Sequence, residues 1–142
     1  MNENRIKRVL ARLDEMGLKQ MLITDPRSIY YLTDVNVAPF ERFFALYLNA
    51  NGNNKLFLNK LFAIPENVNI DKVWLSDTDS VTDALLKVIE KNEKLGVDKD
   101  IKARFLLPLM ENNAATGFVN SSYAVDITRG VKDKKEQELM RV

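Results

Sequence analysis

An α/β fold, a three-layer sandwich with helices on both faces of a mixed sheet, follows from three features of the sequence. Short apolar runs alternate with segments of helical period. Two of those runs flank Asn51-Gly52, a pair that favours a tight reversal and so places one hairpin among helix-linked strands. The length of 142 residues suits one domain and is short for two.

Taken in order, Ile6, Val9, Leu10, Leu13 and Met16 recur at helical spacing, which predicts a helix over residues 2–16. Gly17 stands where a helix-ending glycine belongs. Met21-Leu22-Ile23 reads as a buried strand. Asp25-Pro26 supplies a cap and a first-turn proline for a short helix through Leu32. Residues 33–41 lack a clean period and contain Pro39, so they read as a loop. Runs at 43–48 and 55–58 form the hairpin, and residues 61–64 form a turn of helix before Pro65. A strand at 72–75 precedes a helix opened by Ser80 and Asp83, whose apolar face runs to about residue 92. The segment 94–98 is a strand, and 104–115 is helical with Pro108 in its first turn or kinking it. Residues 123–127 read as a last strand. Asp133 and Glu136 then open a helix in which only Leu139, Met140 and Val142 are apolar. Such a short helix is marginal alone, so it is either a frayed end or the beginning of a longer protein.

Composition narrows the chemistry. The 21 basic and 20 acidic residues leave a net charge of +1, which provides no bulk attraction for nucleic acid or an anionic membrane. Cysteine is absent, which removes disulfides and thiolate sites and suits a reducing cytoplasm. Histidine is absent too, which excludes a Ser-His-Asp triad and a histidine relay within these residues. The polar start Met1-Asn2-Glu3-Asn4-Arg5 has no secretory pattern, and no apolar run approaches a span of about 18 residues. A soluble, cytoplasmic protein is expected. The glycines at 17, 52, 96, 117 and 130 are too dispersed for a phosphate-binding loop.

Several residues still invite a chemical role. Asp98 and Asp100 lie near a strand end, as a cation pair or as solvated turn formers. Asp77 and Asp79 precede a helix whose dipole is reason enough for them. Lys132, Lys134 and Lys135 are interrupted by Asp133 and Glu136, as on a solvated helix start. Tyr30, Tyr31 and Trp74 fit core or half-buried positions, or one of them lines a site. The loop 34–42 is the candidate site, with Asp34, Phe40, Glu41 and Arg42 close together in sequence. Arg42 either takes a carboxylate bidentately, such as a peptide C-terminus, or is an edge-strand charge beside Glu41.

Beyond this point a resemblance adds to the reading. Ser28-Ile29-Tyr30-Tyr31-Leu32-Thr33-Asp34 resembles the Asn-Ile-x-Tyr-Leu-Thr-Gly segment of the creatinase/prolidase family's N-terminal domain. Leu95-Gly96-Val97-Asp98 resembles its Ile-Gly-Val-Asp strand, and Glu41-Arg42 leading to Asn51-Gly52 resembles its hairpin. Asp126-Ile127-x-Arg129 with Val131-Lys132-Asp133-x-x-Glu136 resembles the family's passage into its catalytic domain. Asp34 stands where the family has Gly, a position an Asp can occupy, and Asp133 replaces a capping Ser.

The resemblance implies a ribonuclease-H-like domain over residues 1–130 and the start of a linker helix over 131–142. It also implies a pita-bread catalytic domain beyond them. That absent domain would carry two divalent metal ions of the manganese, cobalt or zinc type on two Asp, one His and two Glu, and would hydrolyse the bond before proline. The flavour of Pro39-Phe40-Glu41-Arg42 is that of bacterial Xaa-Pro dipeptidases (prolidases). The implied partners are the missing C-terminal domain, a second copy in a homodimer, and a proline-containing dipeptide or short peptide. Nucleic acid and membrane are not among them. Asp34, Phe40, Glu41 and Arg42 would select substrate, and the fragment itself would have neither catalytic residues nor metal. The alternatives are a stand-alone peptide- or protein-binding module, as in a histone chaperone subunit with this fold, or the N-domain of an aminopeptidase P or creatinase.

Overall fold

The computed structural model describes residues 1–130, so the expected helix from Asp133 and the Lys132, Lys134, Lys135 cluster lie outside the described residues. Its order is α1 (Glu3–Glu15), β1 (Gln20–Ile23), α2 (Pro26–Thr33), β2 (Ala45–Asn49), β3 (Lys55–Asn59), β4 (Asp71–Leu75), α3 (Val81–Leu86), β5 (Leu95–Val97), α4 (Ala103–Glu111), β6 (Phe118–Asn120) and α5 (Ser122–Gly130). The six strands form one mixed sheet in the order β4-β3-β2-β1-β5-β6. β1, β2 and β3 are antiparallel neighbours, while β4 is parallel to β3, and β5 and β6 continue parallel to β1.

Strand alternation sorts the core into two layers. Met21, Ile23, Leu46, Leu48, Leu56 and Leu58 face one side, against Ile6, Val9 and Leu13 of α1, Ile29 and Leu32 of α2, and Ala124 and Val125 of α5. Leu22, Tyr47, Phe57, Leu95 and Val97 face the other, against Leu85 of α3 and Leu109 of α4. Helices therefore cover both faces, as the sequence predicts.

The caps are local and follow the sequence closely. The Asn2 side chain accepts from the Arg5 N–H at 3.0 Å to open α1. At its other end Leu18 N donates to Leu13 O at 2.8 Å and Gly17 N to Asp14 O at 3.0 Å, with Gly17 at φ +74°. That pair of bonds is a Schellman closure, and it turns the chain directly into β1. Pro26 occupies the first turn of α2 behind its Asp25 cap. Asp34 ends α2 in the left-handed region at φ 64°, as expected where the family has glycine.

Four elements differ from the sequence reading, and in one of them, the end of α3, a group distant in sequence decides. Residues 61–64 make no helix: the Asn59 side chain accepts from Leu61 N, its carbonyl accepts from Phe62 N, and the Phe62 ring packs edge-on against Phe44. α3 ends at Leu86 rather than near residue 92, because the buried Gln20 amide takes the N–H and C=O of Glu90 at 2.9 Å each. α4 ends at Glu111 rather than 115, where the Asn112 side-chain amide and backbone N–H both donate to Pro108 O; Pro108 lies inside the helix, not in its first turn.

The expected strand at 123–127 is helix α5, and the strand is β6, just before it. Tyr123, Val125 and Ile127 suggest alternation, but the buried positions are Ala124, Val125 and Thr128, at helical spacing. Tyr123 is 61% exposed. Of the other aromatics, Tyr30 is exposed and Trp74 sits partly exposed on the edge strand β4. No helix among the described residues is long and apolar enough to cross a membrane.

Candidate functional site

The candidate loop leaves α2, so whatever fixes the start of α2 fixes the loop's origin. That role falls to Asp98, at the end of β5 beside the end of β1. Its Oδ2 accepts from Thr24 N (2.8 Å) and Asp25 N (2.7 Å), and its Oδ1 accepts from the Thr24 hydroxyl (2.7 Å). Asp98 is only 5% exposed. It is neither a solvated turn former nor a metal ligand in waiting: its oxygens already serve the turn from β1 into α2. Asp25 in turn accepts from the Ser28 hydroxyl at 2.8 Å and lies 3.6 Å from Arg129 Nη1, which ties α5 to the same corner.

Burial pushes the Asp98 carboxyl above its ordinary range, opposed by the Thr24 and Asp25 donors and assisted by nearby Asp100. A folded pKa raised above the unfolded value means that the group's contribution to stability is full at low pH and is lost as pH rises through the folded value. Asn in its place can accept both N–H groups through Oδ1 and donate to the Thr24 hydroxyl. The stability of Asp98→Asn relative to the parent should therefore increase as pH rises from about 4 towards neutrality. Urea unfolding across that range reads it, and a difference independent of pH would refute it.

Beyond Asp34 the chain turns at residues 39–42, where Arg42 N donates to Pro39 O at 3.0 Å. Phe40 has φ 54° in this turn and is 82% exposed. A bulky side chain in the left-handed region is costly, by about 1–3 kcal/mol, and persists where the surroundings impose it. Arg42 Nε and Nη2 reach the two oxygens of Asp77 at 3.1 and 3.3 Å, and Asn59 donates to the same carboxylate at 2.7 Å. These hydrogen bonds, Arg42 first and Asn59 second, hold the Asp77 carboxyl below its usual range. Asp77 thus answers Arg42 across the fold rather than the dipole of α3.

Phe40 and Arg42 line a depression of about 230 Å³, together with Arg27, Phe43, Lys102 and Phe105. Asp34 lines a second depression of about 400 Å³, with Tyr30, Tyr31 and Arg129. Arg27 is the side chain common to both. Glu41 is exposed, and its carbonyl accepts from Arg104. The structure thus joins Phe40, Glu41 and Arg42 in one turn and sets Asp34 on the neighbouring surface. Sequence reasoning missed Arg27, Lys102, Arg104 and Asp77. Only Arg27 had a local signal, following the Asp25-Pro26 cap; the others reach the loop only through the fold.

Among the described residues no three His, Cys, Asp or Glu side chains come together to hold a metal ion. The described residues do not fit a two-metal centre, and any such metals would need ligands from elsewhere.

The sequence profile of the Creatinase/Prolidase N-terminal domain matches residues 5–131. Among solved structures the fold is similar to a proline dipeptidase from Streptococcus pneumoniae, with a TM-score of 0.77 and 20% identity over 93% of this chain and 100% of that one. It is similar to the N-terminal domain of an X-PRO dipeptidase from Streptococcus pyogenes, with a TM-score of 0.69 and 20% identity over 89% of this chain and 98% of that one. Similarity to a prolidase from Thermococcus sibiricus reaches a TM-score of 0.81 at 23% identity, over 97% of this chain; there the chain spans 39% of its relative's length. No curated protein matches the sequence. At these identities the structural likeness carries the fold.

Proposed function

The chain belongs to the creatinase/prolidase N-terminal domain family, and on that premise we propose that it is the non-catalytic domain of a metal-dependent Xaa-Pro dipeptidase. In this reading a second domain, linked through residues 131–142, holds the two divalent metals and hydrolyses the bond before proline. The present domain supports a cytoplasmic homodimer and helps to select short substrates. The observation that carries the reading is the 39–42 turn, which sets an exposed aromatic ring in a costly conformation beside an arginine, at the mouth of a depression. Strained backbone clusters at ligand clamps and active sites, which supports reading this turn as a recognition element.

The test needs the polypeptide that joins this domain to a family catalytic domain. There Phe40→Ala and Arg42→Ala should each raise KM for Xaa-Pro dipeptides about tenfold while kcat changes little, the pattern of lost binding that is common to ground and transition states. Unchanged KM in both variants would refute the role of the turn. The 142-residue chain alone should hydrolyse no dipeptide, with or without added manganese, cobalt or zinc.

A further inference from the structure

The 39–42 turn is held by side chains that its own sequence does not contain. Lys102 Nζ donates to Phe40 O at 3.0 Å, and Arg104 Nη2 donates to Glu41 O. Phe105 then packs edge-on against Phe43, with ring centroids 4.8 Å apart. These contacts run in the same order along the start of α4 and along the loop. Arg104 also stacks over the Phe105 ring, 4.6 Å from its centroid, which restrains the guanidinium independently of the carbonyl it serves. On the opposite flank the Arg42–Asp77 pair fixes the end of the turn.

Both cations meet neutral backbone oxygens instead of carboxylates. Each satisfies a carbonyl of a turn whose aromatic residue would otherwise leave the left-handed region. The Phe40 ring, pointing into solvent, cannot supply that restraint.

We propose that Lys102 and Arg104 are positioning residues that keep the 39–42 turn closed and so fix the direction in which Phe40 and Arg42 meet a short peptide substrate. The proposal rests on the reading of this turn as the recognition element. With both donors removed, the turn opens while the core beneath it stays intact, because Phe43 remains packed between Phe57 and Phe105.

Chymotrypsin reads this directly, since its cleavage after Phe40 tracks the population of the open turn. In the 142-residue chain, Lys102→Met with Arg104→Met keeps the apolar stems and removes the donors. Cleavage after Phe40 should rise about fivefold or more, with the thermal midpoint nearly unchanged. Lys102→Arg with Arg104→Lys, which retains both donors, should return the rate to within about twofold of the parent. A parental rate in the methionine pair overturns the proposal, as does an equal rise in the conservative pair. No peptidase activity enters this assay, so its failure is distinct from an unchanged KM, which would overturn the substrate-selection reading instead.

Discussion

Alanine at position 96 is expected to destabilise the protein by about 3 kcal/mol, the upper end for overpacking a closed interior. A methyl group on Gly96 would overlap Ser121 Oγ and lie 3.0 Å from Ser121 Cβ and 3.2 Å from Leu18 Cδ1. Ser121 is wholly buried between β6 and α5, and its N–H donates to Val97 O at 2.8 Å, so the offending atoms sit on a fixed backbone. Leu18 is the residue through which the Schellman closure of α1 delivers the chain to β1, and its side chain is buried in the core. In a chain of this length the loss corresponds to a fall in Tm of about 10 °C. Ser121→Gly should return more than half of it in the double variant, because it removes the overlapping atoms. A single variant within about 0.5 kcal/mol of the parent would show that the close approach is not a constraint.

Gly96 also marks the limit of what could be read from the sequence. Leu95-Gly96-Val97-Asp98 is legible as a strand because apolar residues and a terminal aspartate declare it locally. Why the second residue is glycine is not, since the answer is a serine just past the end of β6. The same division holds elsewhere. The Asp25 cap, the Gly17 closure, the Asn-rich hairpin turn and the left-handed Asp34 were all readable, because each acts on its own turn of chain. The end of α3 was not, because a side chain from β1 decides it. Nor were the partners of the 39–42 turn, because Asp77, Lys102 and Arg104 come from segments that only the sheet order brings alongside.

Replacing Gln20 with leucine is expected to cost about 4 kcal/mol, because it takes a partner from the buried Tyr47 hydroxyl and from the part-buried N–H and C=O of Glu90 at once. Gln20 is fully buried in β1, and its Oε1 accepts from the Tyr47 hydroxyl at 2.6 Å and from Glu90 N at 2.9 Å. Its Nε2 donates to Glu90 O at 2.9 Å, while Asn49 Nδ2 donates to the Tyr47 hydroxyl at 2.9 Å. Burial raises the pKa of Tyr47, so the hydroxyl keeps its proton and remains a donor to Gln20. Leucine fills the space but leaves the Glu90 N–H and C=O and the Tyr47 hydroxyl without that partner. Tyr47→Phe, which removes one of these stranded groups, should by itself cost less, and it should reduce the penalty of Gln20→Leu by about 1 kcal/mol in the double variant. Urea unfolding gives these values, and amide exchange locates them. The Glu90 N–H should lose protection first, because the segment after α3 is held to the sheet by this amide. If Gln20→Leu costs under about 1 kcal/mol and Glu90 keeps its protection, α3 ends for some other reason than the capture of Glu90 by β1.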